Sequence, residues 1–216
     1  FVDRDGKFQL GMLSTSAFKP LAASMGPMLK EEAFHLGTGF NGLRRIVKAG
    51  VIPLDLLQRY INKWVSTAHD LFGVDASSSA HWAYVWGVKG RWDERKKLEA
   101  GIEVDKATLN EESRGHYHDE IVGEVRKLCG YLPDDAIELY VPHENFNRSI
   151  GTAKGQRFNV DGTPFEGNDD DWNTYLEVNL PTDQDEIDLK ELFKQEWIAN
   201  KPMSTRQIES GIGASA

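Results

Sequence analysis

Residues 28–39 read "MLKEEAFHLGTG", and the face this stretch presents as a helix decides the architecture. Leu21, Met25, Met28, Glu32, His35 and Gly39 advance by four, three, four, three and four, which places them on one helical face. Pro20 and Pro27 should each begin or kink a helix, so a clean helix is expected from about Pro27 to Lys48. Met28, Glu32, His35 and Gly39 keep the pattern beyond the kink. An apolar stripe therefore carries a carboxylate and an imidazole. A carboxylate desolvated without a partner costs several kcal/mol or takes up a proton, so the pair calls for compensating charge or a metal.

Working outward, "GVIPLDLLQRYINKWVSTAHDLFG" predicts a second helix with Pro53 in its first turn and Gly73 closing it. "DASSSAHWAYVWGVKGRWDERKK" predicts a third, on which Trp82, Trp86, Lys89 and Asp93 share a face. A fourth is expected from about Asp105 to Gly130. On it His118, Ile121, Val122, Val125, Leu128 and Cys129 point one way, and His116, Asp119, Glu120 and Lys127 the other. The opening "DRDG" reads as turn-like, and residues before Phe1 are expected to be missing. After Gly130 the chain is rich in Pro, Gly, Asn and Asp. There "FNVDGTPF" and "TYLEVNL" suggest a small β-hairpin, and "DLKELFKQEWIAN" a late helix. The expected fold is mainly α: a helical bundle over residues 1–130 and an irregular C-terminal region over 131–216 packed on it, with a frayed tail.

Glu-x-x-His is the spacing with which ferritin-like four-helix bundles feed a dinuclear iron or manganese centre. Alone it is equally compatible with a solvated glutamate beside a hydrogen-bonded core histidine. Asp93 on the tryptophan face could pair with Arg91 or Arg95, and His118 could bond a backbone carbonyl. His116 with Asp119 is the alternative fourth-helix pair. Taken together, three helices with an ionisable residue on the apolar face make a carboxylate-rich pocket without thiolate, a donor set suited to iron or manganese with oxygen. The His-Glu-x-x-His signature of zinc hydrolases is absent.

Composition narrows the field. In 216 residues with a net charge of −9, wrapping of nucleic acid is disfavoured, because phosphate backbones are held by clustered Lys and Arg. No run approaches the roughly eighteen apolar residues a membrane helix needs. Cys129 is the only cysteine, which excludes an internal disulfide and points to a reducing cytoplasm.

The runs "GKFQLGML", "GPMLKEEAFHLGTG", "INKWVSTAHDLFG", "SSSAHWAYVWGVKGRWDE" and "GQRFNVDG" resemble the oxygenase component of benzoyl-CoA 2,3-epoxidase, the BoxB family. That resemblance covers most of the chain. It implies a ferritin-like diiron monooxygenase that epoxidises the ring of benzoyl-CoA with O2 and electrons from a separate flavin-containing reductase. It also implies Glu32 as bridging carboxylate, with His35, Asp93 and His118 as the other metal ligands of two iron ions. No catalytic residue beyond these ligands is implied. Two departures stand out. A first-helix glutamate about thirty residues before the Glu-x-x-His is expected, yet the count lands at Val2, beside Asp3; and Gly115 stands where a second Glu-x-x-His would have its glutamate, with Glu111 two turns before His118. For the CoA phosphates the candidates are Arg44, Arg45, Lys48 and Arg157. The competing readings are a ferritin-like metal-binding protein without oxygenase activity and a metal-free helical interaction module.

Overall fold

The computed structural model describes residues 1–90, 94–103, 108–192 and 194. The chain divides into two units, residues 1–180 and 181–216. In the first, helices α1 (Val2–Leu13), α2 (Lys19–Ala49), α3 (Leu54–Leu71), α4 (Ser78–Val85), α5 (Glu94–Glu99), α6 (Leu109–Cys129) and α7 (Asp169–Asn179) follow in order; the second contains α8 (Asp183–Leu192).

The core is made by α1, α2, α3 and α6, which is a helical bundle. Phe8 and Met12 of α1, Val47 of α2, Leu57, Ile61, Val65 and Ala68 of α3, and Tyr117, Ile121 and Val125 of α6 form one buried cluster, closed by Leu139. The spacings within each helix are those of a single apolar stripe. Phe8, Phe72 and Tyr117 pack edge to face or tilted, with ring centroids 5.5–6.4 Å apart. Beyond α6, Arg148 fastens the following loop to α3: its Nε donates to Asp70 at 2.5 Å, and the Ser149 and Ile150 amides donate to the same carboxylate.

Several elements differ from expectation. "DRDG" is the first turn of α1 and not a turn: Asp3 and Asp5 lie in the first turn, where the helix dipole favours them. Helix α2 continues through Pro27. Its inward stripe runs through Met25, Leu29, Glu32, Leu36, Leu43 and Val47, of which Met25 and Val47 are buried and the rest half-buried, and this leaves Met28 and His35 on the exposed side. The third expected helix ends early at Val85, because Gly87 takes φ 64° and the Val88 and Lys89 amides both return to the Ala83 carbonyl. Its tryptophans are not inward: Trp82 is 47% exposed and Trp86 69%.

The expected β-hairpin is not there. Among the described residues no strand forms; Phe158 and Pro164 make one isolated bridge around the turn at Asn159–Thr163, where Gly162 has φ 88°. "TYLEVNL" belongs instead to α7. The Asn168 side chain accepts from the Asp170 and Asp171 amides while Asp171 reaches back to the Asn168 amide. That reciprocal cap, with three aspartates in the first turn, starts a helix where alternation alone suggested a strand. In the second unit the Asp185 carboxylate accepts from the Thr182 amide and hydroxyl, fixing the start of α8.

Candidate functional site

A cavity of about 500 Å³ lies between α1, α2, α3 and α6. Phe40, Leu43, Tyr60, Trp64 and Leu128 give it apolar walls, and Asp3, His35 and Glu124 are among its polar lining. Such a chamber suits an apolar group oriented by a few polar ones.

Glu32 sits against α1. Its Oε1 is 3.1 Å from where a Cβ on Gly6 would stand, so glycine at that position is what lets the carboxylate approach the helix. Its Oε2 is out of reach of water and has no hydrogen-bond partner. Burial, then the charge of Asp3, raises its pKa. His35, one turn on, lies at the exposed edge of the stripe and lines the cavity with Asp3. The expected α2 pair therefore reaches the inward stripe and its rim, and Asp3, which lines the cavity with His35, is a candidate for the expected first-helix carboxylate.

His118 sits elsewhere. Its Nδ1 is 3.3 Å from Nε2 of His69 on α3. His69 is fully buried, and its Nδ1 has no partner. Burial first, then His118 and the Arg148 and Arg114 charges, push the His69 pKa down to about 2, which keeps that ring neutral. Asp93 lies outside the described residues. His116 is exposed; Asp119 is exposed as well, and Glu111 has its amide held by the Asp75 carboxylate that caps α6. Among the described residues no three His, Cys, Asp or Glu side chains come together closely enough to hold a metal. An orphaned carboxylate oxygen at Glu32 and an imidazole one turn away fit one donor pair. A closed two-metal set is not assembled from the described residues.

A second polar feature escaped sequence reasoning. Asp5 on α1 is 4% exposed and accepts from Gln9, whose carbonyl oxygen in turn accepts from Lys89 at 3.1 Å; Lys89 also donates to Asn110 of α6 at 2.8 Å. This chain of bonds ties α1, the segment after α4 and the start of α6 together. Burial raises Asp5 to about 6, the Glu32 charge adding to the effect and Lys89 opposing it. Burial also lowers Lys89, against Asp5 and Asp75. Both Asp5, in step with Phe8 and Met12, and His69, in step with Ile61, Val65 and Phe72, were findable by the same face-counting that singled out Glu32.

The two groups act oppositely on stability. Asp5, with its folded pKa raised from 3.8 to about 6, binds a proton more readily folded than unfolded, so stability falls as pH rises through that window. His69, depressed from 6.5 to about 2, is protonated only when unfolded across the same window, so stability falls as pH falls. Asp5→Asn is expected to remove the first effect. The variant should be more stable than the parent at pH 7, by of order 1–2 kcal/mol, and should lose stability more steeply between pH 6 and 4. Urea midpoints measured at each pH would check both statements; an unchanged pH profile would contradict them.

The basic candidates are partly engaged. Arg44 and Lys48 lie over the Tyr131 ring at 6.0 and 4.7 Å, and Arg157 pairs with Asp169 and lies over Trp172. Lys48 stands in the last turn of α2, where it offsets the negative helix end.

No protein-family model matches the chain. It is 31% identical over 227 aligned residues to benzoyl-CoA oxygenase component B of Aromatoleum evansii, with 86% of this chain and 47% of that protein covered. The chain belongs to the benzoyl-CoA oxygenase component B family. It spans about half the length of that curated relative. In this member of the benzoyl-CoA oxygenase component B family, no described helix is long and apolar enough to cross a membrane.

Proposed function

We propose that the chain is the metal-binding helical part of an oxygenase component that epoxidises the aromatic ring of benzoyl-CoA, in the cytoplasm, with O2 and electrons from a separate flavin-containing reductase. The observation that carries this reading is the Glu32 carboxylate, with one buried and unpartnered oxygen, one helical turn before His35, which lines a cavity between four helices. The name of the relative supports an oxygenase acting on benzoyl-CoA, and its designation as component B supports a partner component.

In the ferritin-like reading two iron ions, or manganese in their place, supply the oxygen chemistry. Glu32 and His35 are the donors the reading rests on. Asp93 completes the proposed set from outside the described residues, and His118 joins it only by leaving His69. Because the described residues do not close that set, the derivable contributions are those of the cavity. Phe40, Tyr60 and Trp64 would bracket a flat ring and exclude water from it, and the half-exposed Trp64 at the mouth would meet the acyl group on entry. Trp64→Ala is expected to weaken benzoyl-CoA binding about tenfold, roughly 1.4 kcal/mol, measured by calorimetric titration.

Oxygen-dependent conversion of benzoyl-CoA by the purified protein, supplied with reductase and followed by mass spectrometry of the CoA ester, tests the function directly. Incorporation of one atom of labelled O2 is the expected result. Bound iron without conversion would leave the ferritin-like metal protein as the better reading; no iron at all would leave the helical interaction module.

A further inference from the structure

We infer that buried His69 sets the tautomer of His118, so that His118 presents an N–H at Nε2 and serves as a hydrogen-bond donor instead of a metal ligand. The inference does not depend on the substrate. It narrows the metal reading above to the α2 donors, with Asp3 of α1 and whatever joins them from outside the described residues.

Two neutral arrangements satisfy the 3.3 Å contact between His118 Nδ1 and His69 Nε2. In one, His69 Nε2–H donates to His118 Nδ1. The His118 proton then sits on Nε2, and the buried His69 Nδ1 is a bare lone pair. In the other, His118 Nδ1–H donates, the His118 Nε2 lone pair is free for a metal, and His69 must carry an N–H on Nδ1. That nitrogen is sealed and has no acceptor: His69 is fully buried, the Tyr117 ring stands edge-on to it at 5.6 Å, and the Tyr117 hydroxyl is turned to the Phe1 carbonyl. Among buried groups an orphaned N–H is rarer than an under-used acceptor.

The surrounding charge agrees. Arg148 donates to the His69 backbone carbonyl, and the charges of Arg148 and Arg114 both bear on the His69 ring. Positive potential favours a lone pair over an N–H dipole there. At His118 the charges of Glu144 and Asp119 act in the opposite sense, against His143. Negative potential favours the N–H on the outer nitrogen, where solvent can also satisfy it, since His118 is only half-buried. Field and burial thus select the same arrangement, the one that withholds the His118 lone pair.

The test is a long-range ¹⁵N–¹H correlation spectrum of the ¹⁵N-labelled full chain, which separates protonated from bare ring nitrogens. The expected spectrum has His118 protonated on Nε2 and bare on Nδ1; the reverse would overturn the proposal. His69→Gln, whose amide can still donate, is expected to keep that His118 tautomer. His69→Phe, which cannot, is expected to shift His118 towards a mixture. An unchanged spectrum in a folded His69→Phe protein would show that His69 is not the determinant. Elemental analysis adds an independent readout: His118→Gln is expected to retain the parent's iron content, and loss of iron from a folded His118→Gln protein would overturn the proposal. Iron retained in Glu32→Ala would count against the α2 site alone, so the two ideas fail separately.

Discussion

Glu32→Ala is expected to remove bound iron from the purified chain while leaving the bundle folded. The side chain is the one carboxylate on the α2 stripe, and one of its oxygens is buried from solvent with no protein partner. In the metal-free protein that oxygen is a cost, because a desolvated carboxylate without compensation either costs several kcal/mol or picks up a proton. Truncation should therefore not destabilise the apoprotein and should stabilise it slightly, while a metal held by that carboxylate loses a donor. Iron per chain by elemental analysis and the thermal midpoint in chelator, read together, check both halves. Stoichiometric iron in the variant would sink the assignment of Glu32. A large fall in the midpoint of the chelated protein would instead mark Glu32 as a structural group.

Arg148→Met is expected to have the largest effect on stability of any single change outside the apolar core, about 3–5 kcal/mol. Arg148 is 8% exposed, and its guanidinium holds three acceptors at once: the Asp70 carboxylate, the Glu144 carbonyl and the His69 carbonyl. Methionine keeps most of the volume and removes every donor. Asp70 would keep the Ser149 and Ile150 amides and lose its counter-charge in a site 14% exposed. Urea unfolding of both proteins at pH 7 measures the difference. A loss below about 1 kcal/mol would mean that the loop after α6 is not fastened through this pair.

Much of this was legible in the residues because the bundle helices are long and their stripes regular. Pro53 and Gly73 bracket α3 nearly where they should, and the face of α6 that carries Ile121, Val125 and Leu128 is the buried one. The turn-like reading of "DRDG" failed because acidic residues that favour turns also favour a helix start, and only packing against α2 decides between them. The tryptophan face of α4 failed for a different reason: a helix of eight residues ending at Val85 contains only Trp82 of the four positions counted along that face. The α2 face was placed in part: Met25 and Glu32 lie on the inward side, while Met28, His35 and Gly39 are exposed. Burial is shifted from His35 towards Leu36, a displacement of one residue that spacing cannot resolve. His118 was read as inward on periodicity, but periodicity does not say which neighbour the inner side meets, and His69 is that neighbour.

Helix α2 runs for 31 residues and buries only Met25 and Val47 deeply, one near each end, with Pro27 between Met25 and Glu32. Proline has no amide, so the Ala23 carbonyl loses its donor and the hydrogen-bond ladder is interrupted just ahead of the donor pair. In amide hydrogen exchange the two segments should open as separate units, the one beyond Pro27 being protected mainly from its Val47 end. Glu32 and His35 would then sit on the less protected part of a continuous helix. A shift there need not disturb the α3 and α6 core, and its cost would be set by local opening free energies instead of by the stability of the whole protein.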